Sequence, residues 1–410
     1  MTGGPGSGTT RFMTRFDYLF QHGLEELAEQ GRLRTPRSLQ PRADGLLERE
    51  DGTVLVDFSS NDYLGLRAHP LLRERALAWA ERYGAGSGAS RLVTGTAPGM
   101  VALEARLAAL KGMEAACIFS SGWQANATLV PALAQLSLAA TGAAPTLIVD
   151  KFIHASLYHG CAAAGVRPVR FRHNDREYLE SLLQKADGPG LKIILTESVF
   201  SMDGDRADMA ALGALARQYG AFLCVDEAHA TGILGPDGKG LADGQADLII
   251  GTFSKALGGM GAFIASSSAV CRWLVNKGSG YIYSTAPSPL VLGAVDAALD
   301  LLPDLDATRD RVAGLAERFR QHMWRAGLET GPSSTQIVPV VVGGERTALT
   351  LSRMVEDAGF LAIAIRPPTV PPGGCRLRVV LHGNHTEAQV DQLAQVLKDA
   401  VSQCAAMGFA

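Results

Sequence analysis

Short apolar runs separated by helical patterns dominate the middle of the chain. Each run is short enough for a buried strand, and most end in polar or charged residues. The seven runs cover residues 116–119, 146–149, 168–171, 192–195, 222–225, 248–250 and 262–265. Their alternation with helical stretches predicts an α/β fold, in which a mainly parallel seven-stranded sheet is covered by helices on both faces.

Helical periodicity flanks this region on both sides. Residues 12–34 carry apolar side chains at helical spacing, which predicts an N-terminal arm helix, and residues 54–58 predict a strand. Towards the carboxyl end the pattern predicts helices at 289–302, 308–327, 347–358 and from 387, with strands at 337–342 and 376–381. We therefore predict an arm and helix (1–56), a large domain (57–290) and a smaller α+β C-terminal domain (291–410).

Composition narrows the class of protein. The 410 residues carry a net charge of -3, with 47% hydrophobic and 19% charged residues, as is ordinary for a soluble enzyme. The chain lacks the excess of basic residues that would indicate a nucleic-acid partner. No uninterrupted apolar segment approaches the ~20 residues that a membrane span needs. The first ten residues lack the apolar core of a secretory signal and read as a flexible leader. Six cysteines without a C-x-x-C pair are typical of a reducing compartment, so we expect a cytoplasmic protein.

Polar residues follow two of the predicted strands. Asp226 and His229 come after the run at 222–225, and Lys255 comes after the run at 248–250, behind Thr252. The carboxyl ends of parallel strands share one edge of the sheet, where α/β enzymes hold their ligands. An amine, an anion and hydroxyl donors together suit pyridoxal phosphate. Taken singly, each residue is more simply a surface lysine, a helix-capping aspartate or a core histidine, but the ordered set favours the cofactor.

A second feature suits the phosphate of that cofactor. Residues 120–126 follow a predicted strand and open a helix, so the amides of Gly122 and Trp123 are free to bind an anion at the helix N-terminus. An ordinary strand-to-helix turn would have the same sequence pattern.

Six segments together resemble a known family. They are Asn61-Asp-Tyr-Leu-Gly-Leu66, Gly86-Ser-Gly-Ala-Ser-Arg91, His154-Ala-Ser-Leu157, Glu197-Ser-Val-Phe-Ser-Met-Asp-Gly204, Asp226-Glu-Ala-His-Ala-Thr-Gly232 and Thr252-Phe-Ser-Lys255. In this order they resemble the α-oxoamine synthases, fold-type I pyridoxal phosphate-dependent transferases that join an amino acid to an acyl thioester. The resemblance extends from about residue 57 to about residue 385.

The resemblance implies roles for the cofactor residues. Lys255 would form the Schiff base and shuttle the α-proton, Asp226 would keep the ring nitrogen protonated, and His154 would stack on the ring. The other implied cofactor contacts are Gly122, Trp123, Ser201, His229 and Thr252, together with Ser284 and Thr285 reaching the phosphate of a partner protomer. The protein is therefore expected to act as a homodimer.

Substrate contacts follow from the same resemblance. Arg366, held extended before two prolines, has the planar donor fork that suits an amino acid's α-carboxylate. The further implied substrate contacts are Arg34, Asn61, His154 and Thr369. Residues 365–371 and 375–378 most resemble members that join L-alanine to a pimeloyl thioester, carried on coenzyme A or acyl carrier protein, to give 8-amino-7-oxononanoate for biotin synthesis.

Two other classes of function stay open at this point. Glycine C-acetyltransferase, 5-aminolevulinate synthase and serine palmitoyltransferase share the cofactor motifs, so only the region near Arg366 separates them. A binding protein of this fold without turnover would be expected to lack the lysine or the aspartate, and both are present.

Three further residues lie outside the implied cofactor and substrate contacts. Met100 stands where many relatives carry a histidine, which concerns local packing or the substrate side only. His382 and His385 have no cysteine or acidic cluster beside them, so we interpret them as loop residues and expect no metal site.

Overall fold

The computed structural model describes residues 14–42 and 44–406. The expected leader and the start of the predicted arm helix lie outside these residues. The helices are α1 (Arg15–Glu29), α2 (Pro70–Tyr83), α3 (Pro98–Leu110), α4 (Gly122–Thr141), α5 (Ala155–Ala163), α6 (Arg176–Lys185), α7 (Met209–Tyr219), α8 (Ser268–Lys277), α9 (Ser279–Ile282), α10 (Pro289–Leu301), α11 (Asp306–Arg325), α12 (Glu345–Asp357) and α13 (Glu387–Ala406). The strands are β1 (Gln40–Pro41), β2 (Leu46–Glu48), β3 (Val54–Asp57), β4 (Ala115–Phe119), β5 (Thr146–Asp150), β6 (Val169–Phe171), β7 (Lys192–Glu197), β8 (Phe222–Asp226), β9 (Leu248–Thr252), β10 (Ala262–Ser266), β11 (Ile337–Gly343), β12 (Phe360–Leu361), β13 (Ile363–Ile365) and β14 (Cys375–Val380).

The seven predicted strands form one sheet. Its order is β4-β10-β9-β8-β7-β5-β6, and only β10 runs antiparallel to its neighbours. The prediction of a mainly parallel seven-stranded sheet is confirmed. Each strand ends within two residues of the position that its apolar run indicated.

Except at the edge strand β6, both faces of this sheet are buried, which explains why its strands are mostly continuous apolar runs. Ile193 and Leu195 pack with α4, α5 and α8 on one face, whereas Ile194 packs with α6 and α7 on the other. Because successive side chains of a strand point to opposite faces, a strand buried on both sides must be apolar at every position.

Two smaller sheets lie outside the large one. One has the order β1-β2-β3-β12 and the other the order β11-β14-β13. Strand β3 pairs in parallel with β12, so the chain that enters the large sheet is also tied to the C-terminal region. This pairing was not predicted, because β1, β2, β12 and β13 are too short to show a period. The domain boundaries stated above stay a prediction.

Helix α1 matches the predicted arm helix and lies apart from the core. Thr14 and Asp17 form a reciprocal capping box at its start, and none of its residues is buried. Phe16 and Phe20 are 70% and 72% exposed, so the apolar side of the helix is open in a single chain.

All six cysteines are buried free thiols, as expected for small core residues. Among residues 14–42 and 44–406, no helix has the length and apolar character that a bilayer crossing requires.

A buried ion pair ties the end of α3 to the loop after β8. Lys111 Nζ lies 2.7 Å from Glu227 Oε2 and donates to Thr231 Oγ1 at 2.8 Å, and both charged side chains are fully buried. Glu227 also accepts from the backbone amide of Ala242, and a Cβ built on Gly240 would lie 2.0 Å from Glu227 Oε2. Leaving one member of such a pair uncompensated costs about 3–5 kcal/mol, so these residues fix the loop that begins at Asp226.

A second charged cluster joins β5 to the loop after β7. His173 lies 2.9 Å from Asp150 Oδ1 through Nδ1 and 2.8 Å from Asp205 Oδ2 through Nε2. Burial lowers the pKa of His173, but the hydrogen bonds to the two carboxylates outweigh it and raise the pKa to about 9. The imidazolium therefore bridges two loops that lead from neighbouring strands.

This bridge gives a specific pH dependence of stability. Because the folded-state pKa of His173 lies above the unfolded value of about 6.5, its contribution is complete below that pH and is lost as pH rises through about 9. Between pH 6.5 and 9.5 the free energy of unfolding should fall by about 2–3 kcal/mol more in the native protein than in His173→Gln. Urea unfolding of both proteins across this range measures the difference, and parallel curves would contradict it.

Candidate active site

A cavity of about 170 Å³ opens where β7, β8 and β9 end and α4 begins. It lies at the carboxyl edge of the parallel strands, as predicted. Its lining includes seven of the predicted residues, namely Gly122, Trp123, His154, Asp226, His229, Thr252 and Lys255. The structure adds Asn126, Ser156, Glu197, Ala228 and Ser254.

Asp226 is the last residue of β8, and its carboxylate is held by two donors. Asn126 Nδ2 donates to Oδ2 at 2.8 Å, and the amide of Ala228 donates to Oδ1 at 2.9 Å. Asn126 Nδ2 also donates to Ser156 Oγ at 2.9 Å, and Ser156 Oγ lies 2.7 Å from His154 Nδ1. The aspartate is thus buried, oriented and linked through side chains to His154.

Glu197 ends the neighbouring strand β7 in register with Asp226. It is buried, and its Oε1 has no hydrogen-bond partner in the part of the chain that the structure describes. Burial raises the pKa of Glu197 well above its ordinary value, and the charge of Asp226 raises it further. The neutral carboxylic acid is therefore the favoured form beside Asp226.

Lys255 follows β9 by three residues and faces these two carboxyl groups across the cavity. Burial lowers the pKa of Lys255 to about 8, while Asp226 and Glu197 oppose that shift and Arg378 adds to it. Roughly a tenth of the Lys255 side chains then carry a neutral amine at pH 7, far more than for an ordinary lysine, and this is the form that reacts as a nucleophile or base.

The two histidines of the cavity are held as neutral rings. Burial lowers the pKa of His229 well below its ordinary value, with the charge of Lys255 acting in the same direction. Desolvation also lowers the pKa of His154, against the charge of Asp226. Tyr63 Oη lies 2.6 Å from His229 Nδ1, and the ring of Trp123 meets that of His154 edge-on at 6.2 Å.

Hydroxyl and amide groups gather at the other end of the cavity. Ser121 caps α4 by accepting from the amide of Gln124, which leaves the amides of the first turn near Gly122 without an intrahelical acceptor. Thr252 Oγ1 lies 2.8 Å from Ser254 Oγ. A helix N-terminus with two hydroxyls beside it is a favourable place for a phosphate.

A larger cavity of about 380 Å³ lies alongside. Ser201 and Thr369 line this second cavity rather than the first. Asn61 Oδ1 accepts from Tyr63 Oη at 3.2 Å and from Arg378 Nη1 at 3.1 Å, so it sits behind His229. Seven of the predicted residues therefore line the first cavity and two line the second, whereas Asn61 lines neither.

Three predicted substrate residues lie outside both linings, namely Asn61 and two arginines. Arg366 follows β13 and donates through Nη1 to the carbonyl oxygen of Gly31, between α1 and β1. Arg34 is exposed in the same connecting segment. Their predicted contacts with substrate stay predictions.

Ser284 and Thr285 also lie outside the first cavity of their own chain. Ser284 Oγ accepts from Gln124 Nε2 at 2.7 Å, and Thr285 forms an isolated antiparallel bridge with Ser90. The adjacent side chain of Tyr283 is 84% exposed. Residues 283–285 therefore lie at the surface of the single chain.

Several residues around the cavity escaped the sequence analysis. Glu197 ends an apolar run in the same way as Asp226, so its position at the strand end was the available signal. Asn126 and Ser156 belong to quoted segments, but polar residues inside helices carry no sign of their target. Arg378 lies on β14, far away in sequence, and nothing local indicated that it would meet Asn61.

The remaining residues of interest are structural. His382 Nε2 and His385 Nε2 lie 2.9 and 3.1 Å from the carbonyl oxygen of Asp57, and their rings stack at 3.6 Å. They are loop residues as interpreted, although they are buried rather than exposed. Met100 is buried within α3 and packs in the apolar core. Within residues 14–42 and 44–406, no three metal-binding side chains come together.

The donor set of the first cavity fits pyridoxal phosphate. Asp226 offers a buried carboxylate for a protonated ring nitrogen, and a buried anion of this kind needs a cation. Lys255 offers an amine of lowered pKa, and the α4 N-terminus with Thr252 and Ser254 offers donors for a phosphate. These groups all line one cavity.

Comparison with known proteins agrees with this geometry. The family described as aminotransferase class I and II matches residues 53–397. An 8-amino-7-oxononanoate synthase of Gluconacetobacter diazotrophicus is 57% identical over 394 residues, covering 95% of this chain and 99% of that protein.

Solved structures show the same fold. A serine palmitoyltransferase of S. paucimobilis, solved with a bound PLP-myriocin aldimine, has a TM-score of 0.85 at 27% identity, covering 97% of this chain and 100% of the other. An 8-amino-7-oxononanoate synthase of Francisella tularensis has a TM-score of 0.73 at 26% identity, covering 85% and 98%. The chain thus belongs to the aminotransferase class I and II family, and within it to the α-oxoamine synthases of fold type I.

Proposed function

We propose that the protein is a pyridoxal phosphate-dependent acyltransferase that condenses L-alanine with a pimeloyl thioester. The products are 8-amino-7-oxononanoate, carbon dioxide and the free thiol, which places the reaction in biotin synthesis. The observation that carries the proposal is the placement of Asp226, Lys255 and the α4 N-terminus around one cavity, in a chain 57% identical to a protein named for this product.

The residues would hold the cofactor by its three polar groups. Asp226 would bind the ring nitrogen, His229 would donate to the phenolic oxygen, Ser201 would lie near the cofactor, and Gly122, Trp123 and Thr252 would bind the phosphate. His154 would lie against the ring. Bound pyridoxal phosphate supplies an electron sink for negative charge at the α-carbon of the amino acid.

The chain's own groups then handle protons and carboxylates. With a pKa of about 8, the Lys255 amine accepts the proton of the alanine α-carbon at Nζ and later returns it. We assign the α-carboxylate to Arg366, and other substrate contacts to Arg34, Asn61, His154 and Thr369. In the overall reaction a bond forms between the α-carbon and the acyl carbon, the thiol leaves, and the α-carboxylate departs as carbon dioxide.

Sister activities of the family are the second candidate. Serine palmitoyltransferase structures give the higher TM-scores, 0.85 against 0.73 for the Francisella protein. The TM-scores compare overall shape between proteins that are only 26–27% identical to this chain. The relative that is 57% identical is named 8-amino-7-oxononanoate synthase. We therefore favour the alanine and pimeloyl reaction.

We also propose a homodimer that acts in the cytoplasm. Beside the Ser284–Thr285 segment, Leu92, Val93 and Tyr283 are 53%, 75% and 84% exposed, an apolar surface that a second copy would cover. In such a dimer Ser284 and Thr285 would reach the partner's phosphate site. The six free cysteines fit a reducing compartment.

The proposed reaction is tested with a matrix of substrates. The holoenzyme is incubated with L-alanine, glycine or L-serine, each with pimeloyl-CoA, acetyl-CoA or palmitoyl-CoA, and also with pimeloyl-acyl carrier protein. We expect 8-amino-7-oxononanoate from L-alanine and a pimeloyl thioester as the main product by mass spectrometry. A faster reaction with glycine and acetyl-CoA, or with serine and palmitoyl-CoA, would assign the protein to a sister activity instead.

Asp226→Asn should keep the cofactor but lose most activity. The carboxamide can still accept a hydrogen bond, but it no longer favours a protonated ring nitrogen. Losing one charge-assisted hydrogen bond, worth about 1.5–3 kcal/mol, predicts at least a roughly tenfold fall in kcat. Visible absorbance measures cofactor content and a coupled thiol assay measures kcat. The exposed Asp187→Asn serves as the matched control, and an equal kcat in the two variants would contradict the role of Asp226.

Subunit mixing tests the shared site. Lys255→Ala lacks the amine, and a Ser284→Ala, Thr285→Val variant lacks the contacts proposed to reach the partner. A heterodimer of the two would contain one site with all groups intact, so random mixing should restore about a quarter of the native activity. If the Ser284 and Thr285 groups serve their own chain, the mixture stays inactive, and light scattering shows whether the heterodimers formed.

A further inference from the structure

The second cavity, of about 380 Å³, lies between two loops that also build the first. Residues 151–153 line the second cavity, and His154, the next residue, lines the first. Likewise Glu197 lines the first cavity, and residues 200–203 line the second. The far wall comes from residues 368–371 and from Arg376 of β14. A chain lying in the second cavity would therefore point one end toward Lys255.

Seven of the twelve lining residues are apolar. Phe152, Ile153, Phe200, Met202 and Val370 contribute aliphatic or aromatic surface, and Pro368 and Pro371 add to it. A volume of this size with a continuous apolar wall can hold an aliphatic chain of moderate length.

The charges of this cavity do not balance. Arg376 is buried and ion-paired with Asp203, so these two lining groups neutralise each other. Lys151 has no carboxylate within ion-pair distance among the residues that the structure describes. Its Nζ lies 5.3 Å from the centroid of the Phe152 ring, which positions it at the wall beside apolar surface. One cation without a carboxylate partner thus remains on a lining whose other charged groups are paired.

The apolar wall is held in shape from behind. The ring of His173 meets Phe200 edge-on at 4.4 Å and lies 4.7 Å from Phe152. Since His173 is fixed by Asp150 and Asp205, the two aromatic rings are positioned before any ligand arrives. A preformed wall lowers the entropy cost of ordering the site on binding.

We propose that the second cavity binds the acyl chain of the thioester and that Lys151 binds a carboxylate at the far end of that chain. Lys151 is then a specificity-determining residue that favours a dicarboxylic acyl group over a simple fatty acyl group. The inference rests on the proposed function, because the reacting end of the chain must reach the Lys255 side.

Equilibrium binding to the holoenzyme, without amino acid, tests this assignment. Pimeloyl-CoA and heptanoyl-CoA share the carrier and the chain length, but only the first ends in a carboxylate. The native protein should bind pimeloyl-CoA about fivefold more tightly, as expected of a solvent-accessible ion pair. Lys151→Met keeps the aliphatic stem without the charge and should bring this ratio to about one, whereas Lys151→Arg should keep it.

The controls separate the possible outcomes. Lys185→Met, an exposed lysine at the end of α6, removes the same charge at the opposite edge of the sheet and should leave the ratio unchanged. A ratio near fivefold in Lys151→Met overturns the proposal. An equal loss of affinity for both thioesters also overturns it, since Lys151 would then contact the carrier. The proposed function fails if the native protein forms no 8-amino-7-oxononanoate. That result is independent of the affinity ratios, which still test the role of Lys151.

Discussion

Two buried carboxyl groups in register on neighbouring strands determine the electrostatics of the whole site. Glu197 and Asp226 end β7 and β8 side by side, where water does not screen their charges. Burial, and after it the charge of Asp226, raises the pKa of Glu197 well above its ordinary value, so the neutral form of Glu197 is favoured. The amide groups of Asn126 and Ala228 satisfy part of that charge, and a cation must supply the rest. Pyridoxal phosphate provides such a cation in its protonated ring.

The same electrostatics govern Lys255. Burial alone would lower its pKa further than about 8, and the charge of Asp226 limits that fall. An amine in this range can both give and accept a proton near neutral pH, which is what a group working at a substrate α-carbon needs. The two neighbouring histidines stay neutral for the same reason that Lys255 is shifted, so they contribute hydrogen bonds and ring surface without adding positive charge.

The sequence was sufficient for those parts of the fold and site that follow from local patterns. A strand buried on both faces must be largely apolar, so the six such strands of the large sheet could be located, and the polar residues at or after their ends include Asp226, Thr252 and Lys255, which line the first cavity. The small sheets could not be predicted, because β12 is two residues long and pairs with β3 from the other end of the chain. Nor could the contact between Arg378 and Asn61 or the bridge through His173, since each joins residues whose proximity depends on the completed fold.

The pair of Lys111 and Glu227 has a consequence for how this protein can diverge. Removing either charge strands the other in the core, and any side chain at Gly240 would displace Glu227, so the three positions can change only together. The loop after Asp226 is thereby shielded from gradual substitution, together with the geometry around the anion that it carries. The walls of the second cavity bear no such restraint at Lys151, Pro368 or Thr369, whose side chains are exposed. New acyl preferences could therefore arise by single substitutions there, while the chemistry at the strand ends is inherited unchanged.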